Sequence, residues 1–178
     1  MKYFLKERIP SDFEWNVNPQ GHELEVFERC LEAIEEELEW PSDFDALLEV
    51  TCLTEPDVSE ETGEIFLRNV LDQLIRNRIL DVKFDGNWII TENIFSAEAG
   101  EETLLMSRDH PKVHVLNHAA HLLWSNFGLI KNFAHLDEVC TEAWGQLYDE
   151  VKRNELRIFV ATLFDGRLLK PQINEAAR

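Results

Sequence analysis

Leu71-Asp72-Gln73-Leu74-Ile75-Arg76-Asn77-Arg78-Ile79 and Tyr148-Asp149-Glu150-Val151-Lys152-Arg153-Asn154-Glu155-Leu156 match at an offset of 77 residues. The match pairs Asp72 with Asp149, Arg76 with Arg153, Asn77 with Asn154 and Ile79 with Leu156. Each stretch runs on into a β-rich segment containing Phe-Asp-Gly, at Val82 to Ile90 in the first copy and Ile158 to Leu169 in the second. Asp-Gly between two such runs is a strong hairpin signal, because glycine accepts the positive φ of a tight connection. The chain is therefore expected to contain a helix followed by a β-hairpin twice, with turns at Asp85-Gly86 and Asp165-Gly166.

Working upstream, Ile65, Phe66, Val70, Leu71 and Leu74 form the apolar stripe of the first of these helices, and Val139, Trp144, Leu147, Tyr148 and Val151 that of the second. More helix precedes each. In the first copy an acidic helix ends near Trp40, and a shorter one runs from a Ser42-Asp43 cap through Phe44, Leu47, Leu48, Val50 and Leu53. In the second, a helix from about Asp109 to Trp124 leads to a short segment around Phe127 to Leu136. Helix, short helix, helix, hairpin is the order of a winged-helix domain, and the chain resembles a tandem winged-helix protein. The expected fold is α+β and mostly helical: two winged-helix-like units in tandem, each ending in a β-hairpin. Residues 1–19 form an arm, 20–95 the first unit, 96–107 a polar linker, 108–171 the second unit and 172–178 a tail.

Composition narrows the function classes. The 178 residues hold 35 acids and 17 Lys or Arg, a formal charge of −18, and 44% are apolar, enough to pack a core. No run approaches the roughly 18 apolar residues of a membrane span, and the opening Met1 to Arg8 has no signal-peptide core. Cys30, Cys52 and Cys140 are far apart and odd in number, which fits neither a disulfide framework nor a zinc ribbon. A cytoplasmic protein is expected.

The charge is local. Residues 1–64 hold 19 acids and 4 bases, whereas residues 65–178 hold 16 and 13. Leu24, Phe27, Leu31, Ile34 and Leu38 recur at helical steps and define an apolar face. Glu25, Glu28, Glu32, Glu36 and Glu39 step likewise and make an acidic ridge, with Glu35, Asp43 and Asp45 beside it. Like charges at that spacing cost a helix a few tenths of a kcal/mol per pair. Four helical residues rise about 6 Å, near the spacing of phosphates along a nucleic-acid strand. A ridge of this kind is either a solvated helix face or a surface whose carboxylates dock a basic partner or imitate a phosphate backbone. These eight carboxylates are the candidate partner-binding residues.

The expected third helices carry Arg68, Arg76 and Arg78, with Lys83 on the first wing, and Lys152, Arg153 and Arg157, with Arg167 on the second. Neighbouring acids nearly cancel them, so local ion pairs are expected and direct nucleic-acid binding is not. Winged-helix pairs also serve as adaptors in multi-subunit assemblies, and the resemblance implies such a role. His110, His114, His118 and His121 are spaced 4, 4 and 3, which a helix would align; His114, His118 and His121 are weak metal-ligand candidates, with no Glu in a His-Glu-x-x-His arrangement. The glycines are isolated and no nucleophile signature is present, so neither a cofactor nor a catalytic residue is expected. The functional expectation is a non-enzymatic protein-interaction protein, an adaptor or inhibitor that docks a basic protein. The alternative is a winged-helix transcription or chromosome regulator. Oligomeric state is not legible.

Overall fold

A computed structural model describes residues 1–6, 8–11, 13–15, 27–28, 31, 34–35, 40–54, 60–108 and 110–172. The chain is mixed α and β with small antiparallel sheets, and divides into two compact units, 2–83 and 84–178. Among the described residues no helix is long and apolar enough to cross a membrane.

In the 2–83 unit, β1 (Lys2–Leu5) is followed by helical positions at 27, 28, 31, 34 and 35, then α1 (Phe44–Thr54), α2 (Glu60–Arg76) and β2 (Leu80–Lys83). The apolar stripe of the acidic segment holds where it is described: Phe27 and Ile34 are buried. Asp43 caps α1 by accepting from the Ala46 N–H at 3.1 Å, as the Ser42-Asp43 signal predicts. From α2, Leu67, Val70, Leu71, Leu74 and Ile75 enter the core, each worth about 1.5–3 kcal/mol when fully buried. Antiparallel pairing of β1 with β2, Tyr3 opposite Val82 and Leu5 opposite Leu80, closes the unit.

The 84–178 unit has β3 (Trp88–Ile90), a three-stranded meander of β4 (Ile94–Ala99), β5 (Glu102–Ser107) and β6 (His110–Leu116), then α3 (His118–Asn126) and α4 (Phe133–Trp144). A 3-10 turn (Gly145–Leu147), α5 (Glu150–Asp165) and β7 (Leu169–Pro171) complete it. Strand β7 pairs antiparallel with β3, Trp88 opposite Pro171 and Ile90 opposite Leu169. The core gathers Trp88, Leu105, Leu116, Phe127, Leu136, Leu156, Val160, Leu163 and Leu168. Trp88 is its hub: the ring stacks on Phe127 at 5.9 Å, and its buried indole N–H donates to the Ile130 carbonyl at 2.9 Å.

Several sequence expectations are corrected. Gly86 does take a positive φ of 69°, but the flanking strands pair elsewhere, β2 with β1 and β3 with β7, so no hairpin forms there. Around Asp165-Gly166 the run from Ile158 is helix, because Leu156, Val160 and Leu163 follow the spacing of a buried helical face. The supposed linker 96–107 is most of the β4–β5 hairpin, and residues 110–116 are strand rather than helix. Tyr148 alone of the second stripe is half-buried, whereas Val139, Trp144, Leu147 and Val151 are exposed, because α4 ends at Trp144 and a new helix begins at Glu150. The chain divides after Lys83, and residues 2–5 of the expected arm are a structural strand.

The nine-residue match at 77 is also displaced: it lays the end of α2 on the start of α5. The repeat that the backbone obeys has an offset of 89 from α1 onward. Asp43 caps α1 and Asn132 caps α4. The Arg68 guanidinium lies 5.3 Å over the Phe44 ring, and that of Arg157 lies 5.9 Å over Phe133. Both third helices end on an arginine in the left-handed region, Arg78 at φ 64° and Arg167 at φ 56°. The next N–H reaches back five residues, from Ile79 to Leu74 at 3.0 Å and from Leu168 to Leu163 at 2.8 Å. The leading strands correspond too. The Tyr3 N–H donates to the Ser42 carbonyl and the Trp88 N–H to that of Lys131, each at 2.7 Å.

Candidate interaction surfaces

Of the eight candidate carboxylates, Glu25, Glu32, Glu36 and Glu39 lie outside the described residues. Glu28 is exposed, and Asp45 is exposed in the first turn of α1, where the helix dipole favours an acid. Glu35 and Asp43 serve the fold instead. Glu35 accepts from the Ile9 N–H at 2.8 Å and lies 4.0 Å from Arg8. Asp43 accepts from Lys2 Nζ at 2.8 Å as well as capping α1, and the lysine bond first, the Ala46 amide second, hold its carboxyl below the usual range.

The bases expected on the third helices are largely committed within their own units. Arg68 donates to the Tyr3 hydroxyl at 3.0 Å and pairs with Asp72 at 3.1 Å. Arg157 donates to Asn154 at 2.7 Å and to Glu150 at 3.1 Å. Lys152 donates to the Leu147 carbonyl, and Lys83 lies 4.3 Å over the Phe4 ring. Helix α5 is buried on two opposite sides, by Asn154, Ile158 and Ala161 and by Leu156, Val160 and Leu163. A helix that reads a groove must present one face to the nucleic acid.

A polar cluster between α4 and α5 was not legible in the sequence, because its members come from separate helices with no motif between them. Asp137 accepts from the Tyr148 hydroxyl at 2.7 Å and, through its other oxygen, from the Arg153 guanidinium. Thr141, Asp149 and Glu150 complete the lining of a cavity of about 180 Å³. Burial first and the Asp137 bond second push the Tyr148 hydroxyl far above its ordinary value, and Asp137 raises Arg153. Burial pushes the neighbouring Cys140 thiol up as well. All three shifts move away from neutrality, so none of these groups is poised to exchange a proton near pH 7. The cluster pins one helix to the next.

The histidines do not converge. His110 and His114 sit on β6, whereas His118 and His121 sit on α3, because Asn117 ends the strand and caps the helix that follows. His121 Nδ1 is 2.8 Å from the Thr103 hydroxyl, and the His114 ring lies against Gly166. Among the described residues no three His, Cys, Asp or Glu side chains form a metal shell, so the His114, His118 and His121 set is not assembled.

The meander supplies a surface of another kind. Its inner face sends Leu105 and Leu116 into the core, while Phe95, Val113 and Val115 on the outer face are 57%, 52% and 56% exposed. Alternation within each strand explains the split, except that here both faces are apolar. No protein family matches the chain, and no curated protein or solved structure matches it.

Proposed function

We propose that the chain is a non-enzymatic protein-interaction protein, an adaptor or inhibitor, whose 2–83 unit docks a basic, nucleic-acid-handling protein through its acidic helix. The observation that carries this reading is the charge difference between two copies of one plan. The 2–83 unit holds 21 acids and 8 bases, net −13, while the 84–178 unit holds 14 and 9, net −5. The strands, caps and helix ends correspond, so the acid surplus is not a requirement of the plan. It costs stability through self-repulsion and accelerates encounter with a basic surface. Committed arginines on both third helices favour this reading over a nucleic-acid regulator.

The helices and closing strand of each unit support a winged-helix-like assignment in which the strand preceding the helices takes the place of the wing's return strand. A reducing, cytoplasmic setting suits Cys140, a buried free thiol. Affinity capture at about 0.1 M salt, where the Debye length is about 10 Å, tests the proposal. Wild-type bait is expected to retain basic nucleic-acid-handling proteins that excess duplex DNA or 0.5 M salt releases. Bait carrying Glu28→Gln, Glu32→Gln and Glu36→Gln is expected to lose them. Identical capture by both baits would overturn the role of the ridge.

A further inference from the structure

We infer that the outer edge of β3 and the cavity beside it bind an extended peptide by strand addition, with apolar side chains facing the cavity and an acidic residue at the Lys131 end. Pairing with β7 leaves this edge open. The Gln172 N–H donates to the Asn87 carbonyl at 2.8 Å and the Thr91 N–H to that of Leu168 at 3.0 Å, so Asn87, Ile89 and Thr91 turn their backbone groups towards β7. Trp88 and Ile90 turn theirs the other way. The Trp88 N–H meets the Lys131 carbonyl there, but among the described residues nothing bonds the Trp88 carbonyl or either backbone group of Ile90. In the 2–83 unit the matching bridge is complete, because Tyr3 both donates to Ser42 and accepts from it, at 2.7 and 3.2 Å. Ile90 is half-buried, and a peptide backbone satisfies its N–H and carbonyl together.

The space beside that edge has the size and lining to take side chains. A cavity of about 510 Å³ is lined by Trp88 and Ile90 from the strand and by Phe127, Gly128, Ile130 and Lys131 from the segment after α3, within the roughly 300–1,000 Å³ of ligand pockets. Gly128 fronts open space, since an added Cβ meets no atom within 4 Å. Among the described residues that line the cavity Lys131 alone is charged. Its exposed side chain is bonded to no described group, and it is ion-paired with neither Asp85 nor Glu92, the exposed acids that flank β3 in the sequence. Lys131 meets the Trp88 end of β3, whereas Glu92 follows the Ile90 end. A strand antiparallel to β3 therefore has its cation at its own C-terminal end, which sets the acid there. A fatty acid would fill the apolar lining but offers no N–H to the Ile90 carbonyl. The site lies within the 84–178 unit and stands apart from the acidic helix of the 2–83 unit.

Amide NMR of the isotope-labelled full chain, titrated with the blocked peptide Ac-Val-Thr-Val-Thr-Asp-NH2, tests the site; its valines alternate onto one face. Shifts are expected at residues 88–90 and 127–131, with a dissociation constant on the order of 10⁻⁴ M. Methylating either the valine or the threonine nitrogens is expected to weaken binding roughly tenfold in one case and little in the other, because a strand bonds its neighbour through alternate residues. A peptide with Lys in place of Asp is expected to bind about fivefold more weakly, a preference that Lys131→Glu reverses. Gly128→Leu, which projects into open space, is expected to block the peptide and leave distant amides unmoved. No shifts at about 2 mM peptide, shifts elsewhere, equal effects of the two methylations, or equal binding by decanoate at the same residues would overturn strand addition. A preference for Asp that survives Lys131→Glu would overturn the placement of the acid.

Discussion

The two units close their sheets with different chemistry at matched positions. In the 2–83 unit the strand residue Lys2 reaches the helix-capping residue Asp43 as an ion pair at 2.8 Å. In the 84–178 unit the equivalent contact is a neutral amide bond, Asn132 Nδ2 to Asn87 Oδ1 at 2.9 Å. The hub residues differ likewise. Buried Tyr3 accepts from Arg68 through its hydroxyl, while Trp88 donates from its indole to a backbone carbonyl. What stays fixed is apolar or stereochemical: Leu47 and Leu136, Leu67 and Leu156, Leu74 and Leu163, Leu80 and Leu169 are buried at the offset of 89. The plan is held by burial and backbone pairing, which leaves charge free to vary between the units.

Removing the hubs attacks the comparison most severely. Tyr3→Ala and Trp88→Ala are each expected to cost about 3–5 kcal/mol in urea unfolding, the range for large aromatic truncations. If one costs less than about 1 kcal/mol, the two residues are not equivalent hubs. Next is a position where the units differ. Gly166 corresponds to Asn77, and a Cβ built on Gly166 would lie 2.3 Å from His114 Nε2. Gly166→Asn is expected to cost about 1–3 kcal/mol by overpacking, an effect that His114→Ala relieves in a double-mutant cycle. The reverse change, Asn77→Gly, is expected to cost less than about 1 kcal/mol, because Asn77 is exposed and its side chain bonds only its own helix at Gln73 O. Smallest are the paired helix ends. Arg78→Gly and Arg167→Gly each relieve a left-handed residue and are expected to raise stability by roughly 0.5 kcal/mol, by like amounts, in parallel thermal melts.

Local features were legible in the sequence: the Asp43 cap, the α1 helix and the burial of Phe27 and Ile34 all depend on residues within a turn or two. Pairing was not. Asp-Gly announces that the chain turns, but not which strand meets which, and β1 finds its partner almost the length of its unit away. Histidines spaced by fours suggested a helix through residues 110–121, although Pro111 argues against a helix interior and Val113 and Val115 alternate as in a strand. Phe44-x-x-Leu47-x-Glu49-Val50 and Phe133-x-x-Leu136-x-Glu138-Val139 carry the true repeat, yet the nine-residue match at 77 had more polar identities. The Asp137, Tyr148 and Arg153 cluster depends on where α4 ends and α5 begins, which periodicity did not fix. Of the acidic ridge, the sequence showed where the carboxylates cluster but not that Glu35 and Asp43 are engaged by the fold.

Pairing the strand before the helices with the strand after them also sets an order of events. Joining Leu5 to Leu80 encloses about 75 residues in one loop, whose entropic cost precedes any gain from the sheet, so helices are expected to assemble first and the sheet last. During synthesis the 2–83 unit can shut once Lys83 is free of the ribosome. Trp88, by contrast, must wait for Pro171, and until then the tryptophan that anchors the second core has no sheet partner.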